Sequence, residues 1–192
     1  MVLLLDNYDS FTYNLAHIVA EVLDAPFDII RNDQITVEEV DKYDTIILSP
    51  GPGIPDEAGI LKPLIARYRE SKNIFGVCLG CQAIGEVYGG SLENLEKVYH
   101  GVDSPMSVTT DSELLFDGIE SPFPAGRYHS WVISTDNFPA QLEITCTEEH
   151  GQIMAIRDRD HNVRGVQFHP ESILTPSGKR LIENFLRSAG EI

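Results

Sequence analysis

Basic residues are scarce in this 192-residue chain: 14 Lys and Arg stand against 30 Asp and Glu, a formal net charge of −16. Such a surface repels polyanions and anionic lipid, so no nucleic acid and no membrane is expected as a partner. Cysteine is scarce too. The three residues Cys78, Cys81 and Cys146 cannot all pair with one another, and a chain of this length does not depend on disulfide staples, which points to a reducing, cytoplasmic compartment. Long apolar runs are missing. Val2-Leu3-Leu4-Leu5 stops at Asp6, too short for a signal-peptide core, and nothing approaches the roughly 18 apolar residues that cross a bilayer. Repeats, low-complexity tracts and linkers are absent as well. No His or Cys pair with closed-site spacing is accompanied by a second pair, so the expectation is one domain over 1–192 without a bound metal. With 42% hydrophobic and 23% charged residues, the composition is that of an ordinary globular protein.

What is present alternates short apolar runs with helical patterns. Val2 to Leu5 reads as a buried strand, after which Phe11, Leu15, Ile18, Val19, Val22 and Leu23 recur at helical spacing, with Asp9 or Ser10 as N-cap. Phe27 to Ile30 and Thr45 to Ser49 are further strands, and Thr36 to Lys42 is a short helix between them. Beyond Pro50-Gly51-Pro52-Gly53-Ile54-Pro55, an amphipathic helix is marked by Ile60, Leu61, Leu64, Ile65 and Tyr68, and Ile74 to Val77 is the fourth strand. Strands that alternate with helices imply right-handed crossovers and a mostly parallel sheet covered on both faces. From about Ser91 the pattern changes to short extended segments: Pro105 to Thr109, Gln141 to Thr147, Gln152 to Arg157 and Val163 to Phe168. These read as antiparallel strands added to the sheet. Thr175 as N-cap and Pro176 at the first helical position open a last helix, with Leu181, Ile182, Phe185 and Leu186 on one face. The fold class is therefore α/β, a twisted mixed, mostly parallel sheet with helices on both faces.

The segment Gly76-Val77-Cys78-Leu79-Gly80 sits between a strand and a helix and is the cysteine counterpart of the Gly-x-Ser-x-Gly nucleophile elbow. A sharp turn there lifts the side chain above the carboxyl edge of the sheet. The following helix N-terminus favours thiolate and points free N–H groups at a developing oxyanion. Against this stands the habit of cysteine to fill buried space, which is the reading for Cys146. Cys78 needs a partner to decide the matter.

His169-Pro170-Glu171, at the end of the last strand, offers one. In extended chain, residues two apart face the same side, so His169 can exchange a proton with Cys78 while Glu171 fixes the imidazole tautomer. His17, His150 and His161 have no such company, and His100 and His129 stay undecided on spacing alone. Ser49-Pro50-Gly51-Pro52-Gly53 leaves the sheet, by the strand count, at the same edge as Cys78. It can turn backbone N–H groups toward a ligand or be a simple strand-to-helix turn, and it lacks the Gly-Lys-Ser/Thr ending of a phosphate loop.

Together, Pro-Gly-Pro-Gly at 50 to 53, Cys-Leu-Gly-x-Gln at 78 to 82 and His-Pro-Glu at 169 to 171 resemble the class I, or triad-type, glutamine amidotransferases. Leu5 to Leu15, Ser49 to Gly53, Arg127-Tyr128-His129-Ser130 and Phe168 to Ile173 are more narrowly similar to component II of anthranilate synthase and of aminodeoxychorismate synthase, and these matches span nearly the whole chain. The resemblance implies a glutaminase in which Cys78, His169 and Glu171 form the catalytic triad. It implies that backbone N–H groups of Gly53 and Leu79 form the oxyanion hole, and that Gly51, Pro52, Gly53, Gln82, Ser130 and Trp131 bind L-glutamine. The implied partner is a chorismate-using synthase subunit, for tryptophan or for folate. No cofactor is expected in this chain, with Mg2+ only in the partner. Two positions depart from the family's habit: Cys81, where His is frequent, and Trp131, where Leu is frequent. Cys81 raises two further expectations, sensitivity to oxidation through a Cys78–Cys81 disulfide and a rival Cys-x-x-Cys oxidoreductase, although that rival leaves the other two motifs without a task. A second rival, a receiver-like module, rests on Asp6 and Asp9 and lacks an Asp where Ser49 stands.

Overall fold

A computed structural model describes residues 1–192. In chain order the elements are β1 (Val2–Asp6), α1 (Thr12–Val22), β2 (Asp28–Arg31), β3 (Thr45–Leu48), α2 (Leu61–Tyr68), β4 (Asn73–Val77) and α3 (Leu79–Val87). There follow β5 (Leu92–Asn94), β6 (Val102–Val108), β7 (Phe123–Arg127), β8 (Trp131–Ile133), β9 (Leu142–Thr147), β10 (Ile153–Asp158), β11 (Val163–Val166) and α4 (Gly178–Ser188). Nine strands form one sheet in the order β2-β1-β3-β4-β11-β10-β9-β6-β7, and β5 pairs with β8 in a separate two-stranded sheet. The pairs from β2 through to β11 are parallel; from β11 onward to β7 they are antiparallel.

The inner parallel strands β1, β3 and β4 read as mainly apolar runs because successive side chains enter two different cores. In β1, Val2 and Leu4 join the layer formed with α1 and α4, whereas Leu3 and Leu5 join the layer formed with α2 and α3. Phe75 and Ile74 divide in the same way in β4. Each such side chain contributes about 1.5–3 kcal/mol, and a slip of one residue would exchange the two layers, so the register is firmly set. That register lines up three strand ends: Leu48 pairs with Gly76, and Val77 with Val166. The chain therefore leaves β3, β4 and β11 at one edge, with Ser49, Cys78 and Gln167 as the next residues.

Several local expectations are corrected. Helix α1 starts at Thr12 after Phe11, not after Asp9 or Ser10; the Asp9 carboxylate accepts the Phe11 N–H at 2.7 Å and closes the turn before the helix. Helix α4 starts at Gly178, not at Pro176, because the Thr175 hydroxyl is engaged elsewhere, donating to the His169 carbonyl at 2.7 Å and accepting the Gly126 N–H at 2.9 Å. The helix expected over Thr36 to Lys42 is a 3-10 turn at Glu38–Lys42, opened by reciprocal bonds between Thr36 and Glu39. Strand β7 carries Pro124 and Gly126, which argue against a strand in sequence; it is tolerated because it lies at the sheet's edge. No helix is long and apolar enough to cross a membrane.

Candidate active site

Cys78 occupies the junction of β4 and α3 with φ 51° and ψ −100°, a left-handed backbone that a non-glycine residue adopts at a cost of about 1–3 kcal/mol. The flanking glycines permit the bend by close approach. A Cβ on Gly76 would lie 2.5 Å from the Gly80 carbonyl carbon, and one on Gly80 would lie 2.8 Å from Leu48 Cβ. Two hydrogen bonds hold the turn: Cys78 N–H to the Val166 carbonyl at 2.8 Å and Gln82 N–H to the Cys78 carbonyl at 3.0 Å. Leu79 is the first residue of α3, where N–H groups have no partner within the helix.

His169 and Glu171 stand at the same edge, both buried, with Nδ1 and Oε1 2.6 Å apart. The carboxylate fixes the proton on Nδ1 and leaves Nε2 as the acceptor; Nε2 is buried and has no hydrogen-bond partner. Burial of the ring opposes its charge. The charge that Cys78 acquires on giving up its proton, and then Glu171, outweigh that opposition and hold the His169 pKa well above the ordinary imidazole value. The ring is flanked by Tyr128, centroid to centroid 4.9 Å, and by Phe11 at 5.6 Å. Its backbone is pinned on both sides, His169 N–H to the Gly126 carbonyl at 2.9 Å and the His169 carbonyl to Thr175.

The loop after β3 is held by β1's own extension. Asn7 N–H donates to Ser49 Oγ and Asn7 Nδ2 to the Ser49 carbonyl, both at 2.8 Å, and Asn32 Nδ2 holds Asn7 Oδ1 at 3.0 Å. A Cβ on Gly51 would lie 2.6 Å from Leu79 Cδ2, so the Pro-Gly-Pro-Gly loop stands against the first turn of α3. Pro52 and Gly53 are exposed, Gly53 with φ 71°. Gln82 reaches across to β8, donating Nε2 to the Trp131 carbonyl at 2.9 Å, and the preceding Ser130 carbonyl accepts Leu95 N–H at 2.7 Å. Cys78, Leu79, Gln82, Trp131, Gly51 and the His169–Glu171 pair are thus gathered around one strand edge.

Two features escaped the sequence reading. Gln167 is wholly buried and donates Nε2 to Cys78 Sγ at 3.5 Å; its only sequence signal is its position two residues before His169. Arg127 is wholly buried beside the site. It donates Nε to His129 Nε2 at 3.1 Å, pairs with Glu148 at 3.5 Å, reaches Gln152, and lies 3.5 Å from the centre of the Tyr99 ring. Burial first, and then the charge of Arg127, pushes the His129 pKa down to about 3, so this imidazole is neutral. His100, His17 and His150 are exposed, and His161 pairs with Asp158 at 3.0 Å.

All three thiols, Cys78, Cys81 and Cys146, are free. Cys81 belongs to the core layer opposite that of Cys78, with its Sγ packed on Gly165, and burial holds its thiol well above the usual pKa. Burial also pushes Cys146 up to about 12. Asp6 accepts the Tyr8 N–H at 2.9 Å and the Thr12 hydroxyl at 2.8 Å, which makes it a turn former. No group of three or more His, Cys, Asp and Glu residues is arranged to hold a metal.

Residues 3–189 match the family model described as glutamine amidotransferase class-I. The chain is 42% identical over 190 residues to the aminodeoxychorismate/anthranilate synthase component 2 of Bacillus subtilis, covering 98% of this chain and 96% of that protein. It is also 42% identical over 188 residues to the bifunctional protein TrpGD of Thermotoga maritima, covering 96% of this chain but only 32% of that longer protein. The fold superposes on the crystal structure of a glutamine amidotransferase from Thermotoga maritima with a TM-score of 0.75 at 16% identity, covering 99% and 96% of the two chains. Match and geometry agree over the whole length, and the chain belongs to the class-I glutamine amidotransferase family.

Proposed function

We propose that this protein hydrolyses L-glutamine at Cys78 and delivers the ammonia to a chorismate-using synthase subunit, with residues 1–192 acting as one glutaminase domain. The observation that carries the reading is the meeting, at one strand edge, of a strained cysteine elbow with a buried His169–Glu171 pair whose Nε2 is free to take a proton. In the first half-reaction, His169 takes the Cys78 proton and the sulfur attacks the side-chain carbonyl carbon of glutamine. The oxygen, now negative, is met by the N–H groups of Gly53 and Leu79, each donor being worth about 3–4 kcal/mol in the transition state. His169 returns the proton to the amide nitrogen, the C–N bond breaks, and ammonia leaves a γ-glutamyl thioester. Water then adds with His169 as base, the C–S bond breaks, and glutamate departs. Gly51, Pro52 and Gly53, the Gln82 side chain and the backbone of Ser130 and Trp131 hold the glutamine. Glu171 stabilises the imidazolium throughout.

The synthase we favour is that of anthranilate, for tryptophan, with the aminodeoxychorismate enzyme of the folate route as the second reading. The name of the Bacillus subtilis relative joins both activities, and the receiving subunit decides the product. The test is to purify the protein from its source with whatever synthase accompanies it and assay chorismate amination from glutamine. Glutamine-driven formation of anthranilate or aminodeoxychorismate is the expected result. A complex that aminates chorismate from free ammonia alone would overturn the reading.

A further inference from the structure

The Gln167 side chain is closed off from solvent, and its amide meets two neighbours: Oε1 accepts from Gln82 Nε2 at 3.1 Å, and Nε2 donates to Cys78 Sγ at 3.5 Å. A primary amide can be turned end for end with almost no change of shape, so its direction has to be dictated from outside. Here the dictation starts from a group that cannot turn. The Trp131 backbone carbonyl only accepts, so the end of Gln82 that faces it at 2.9 Å is the NH2 group. The same NH2 faces Gln167, so that end of Gln167 is oxygen. The remaining end, an N–H donor, is turned toward the sulfur.

We propose that Gln167 is part of the nucleophile: its amide N–H holds the Cys78 sulfur in position and stabilises it as thiolate, in a direction imposed by the Trp131 carbonyl through Gln82. The proposal rests on the glutaminase reading and deepens it. A hydrogen bond to an ionised acceptor is about twice as strong as one to a neutral acceptor. The donor therefore favours the state in which the proton has moved from Sγ to His169, and again the state in which sulfur leaves the thioester as water adds. In the thioester the sulfur is a weak acceptor, so the stabilisation is selective for the two anionic states. Gln82 acquires a second task, since the residue that would touch glutamine also sets the polarity at the attacking atom.

Alkylation of the full chain by iodoacetamide as a function of pH, read by mass spectrometry at each cysteine, measures the Cys78 thiolate. The ionisable groups bearing on Cys78 and His169 are Glu171, Cys81, His129 and Tyr128, and a Gln167→Met substitution leaves all four in place. The expected result for Gln167→Met is an upward shift of the Cys78 alkylation midpoint by about one pH unit. The kcat for glutamine hydrolysis should fall roughly ten- to hundredfold while KM changes less than about threefold. Gln167→Glu still accepts from Gln82 but turns an oxygen toward the sulfur, so its midpoint should rise further; it also decides the matter if the methionine variant does not fold. An unchanged midpoint with Cys78 still the labelled residue, or a loss confined to KM, would overturn the proposal and leave the glutaminase reading standing. Wild-type protein labelled at Cys146 rather than Cys78 would overturn that reading as well.

Discussion

The parallel and antiparallel halves of the large sheet meet at β11, and they handle polarity in opposite ways. In the parallel half the inner strands β1, β3 and β4 are mainly apolar on both faces, and the polar side chains of the site stand in the loops at the carboxyl edge, with Ser49, Cys78 and His169. The antiparallel half buries charge among its strands and loops: Arg127 with Glu148, and Glu113 with both Arg157 and Arg164. The first arrangement aims side chains, because apolar register fixes where each strand ends. The second supports them. Strand β7 carries Arg127 and bridges to His169 through Gly126, and the chain continues directly to His129, Ser130 and Trp131.

Substitutions of the polar residues at the carboxyl edge of the parallel half should cost activity, and those of the buried charges in the antiparallel half should cost stability. The largest effect belongs to Cys78→Ala, which should lower glutamine-dependent activity of the complex by about 10⁴-fold or more while sparing use of free ammonia. Loss of both would make Cys78 a structural residue. Glu171→Gln should follow, lowering kcat by roughly 10²–10⁴-fold with little change in KM, since it disturbs the tautomer and charge of His169 without touching glutamine. In the other half, Arg127→Met leaves Glu148 buried without its cation and should remove about 3–5 kcal/mol in urea unfolding; a glutaminase that loses activity but no stability would erase the distinction.

The last effect is one of pH. Folded His129 stays neutral down to about 3, whereas the unfolded chain takes up that proton near the ordinary imidazole value of 6.5. Between those values the unfolded state binds more protons, so this residue's contribution is present above about pH 6.5 and is lost as pH falls toward 3, by up to about 1.4 kcal/mol per unit. His129→Gln should flatten that part of the stability curve. An unchanged slope would assign the acid sensitivity to other groups.

Much of the site was legible because its motifs are local. Gly76, Cys78 and Gly80 report a tight bend within five residues, and His169 and Glu171 need only extended chain to share a face. Helix starts were less legible. Thr175 has the chemistry of an N-cap, but its hydroxyl is taken by His169 and Gly126, and no local rule foretells a competing tertiary partner. The core layer that each thiol enters was not legible either, since the spacing of Cys81 from Cys78 is silent about it.

The amino-acid order alone determined the alternation of strand and helix, the apolar strands of the parallel half, the cysteine elbow and the pairing of imidazole with carboxylate, because each depends on backbone periodicity or on residues within a few positions. Only the tertiary structure decided that β4 and β11 lie side by side and bring Cys78 to Gln167 and His169, that Gln82 reaches Trp131, and that Arg127 is buried against Glu148 and Tyr99. Those contacts join distant stretches of chain, and their free energy comes from burial and from satisfying polar groups away from water, which depend on the completed packing.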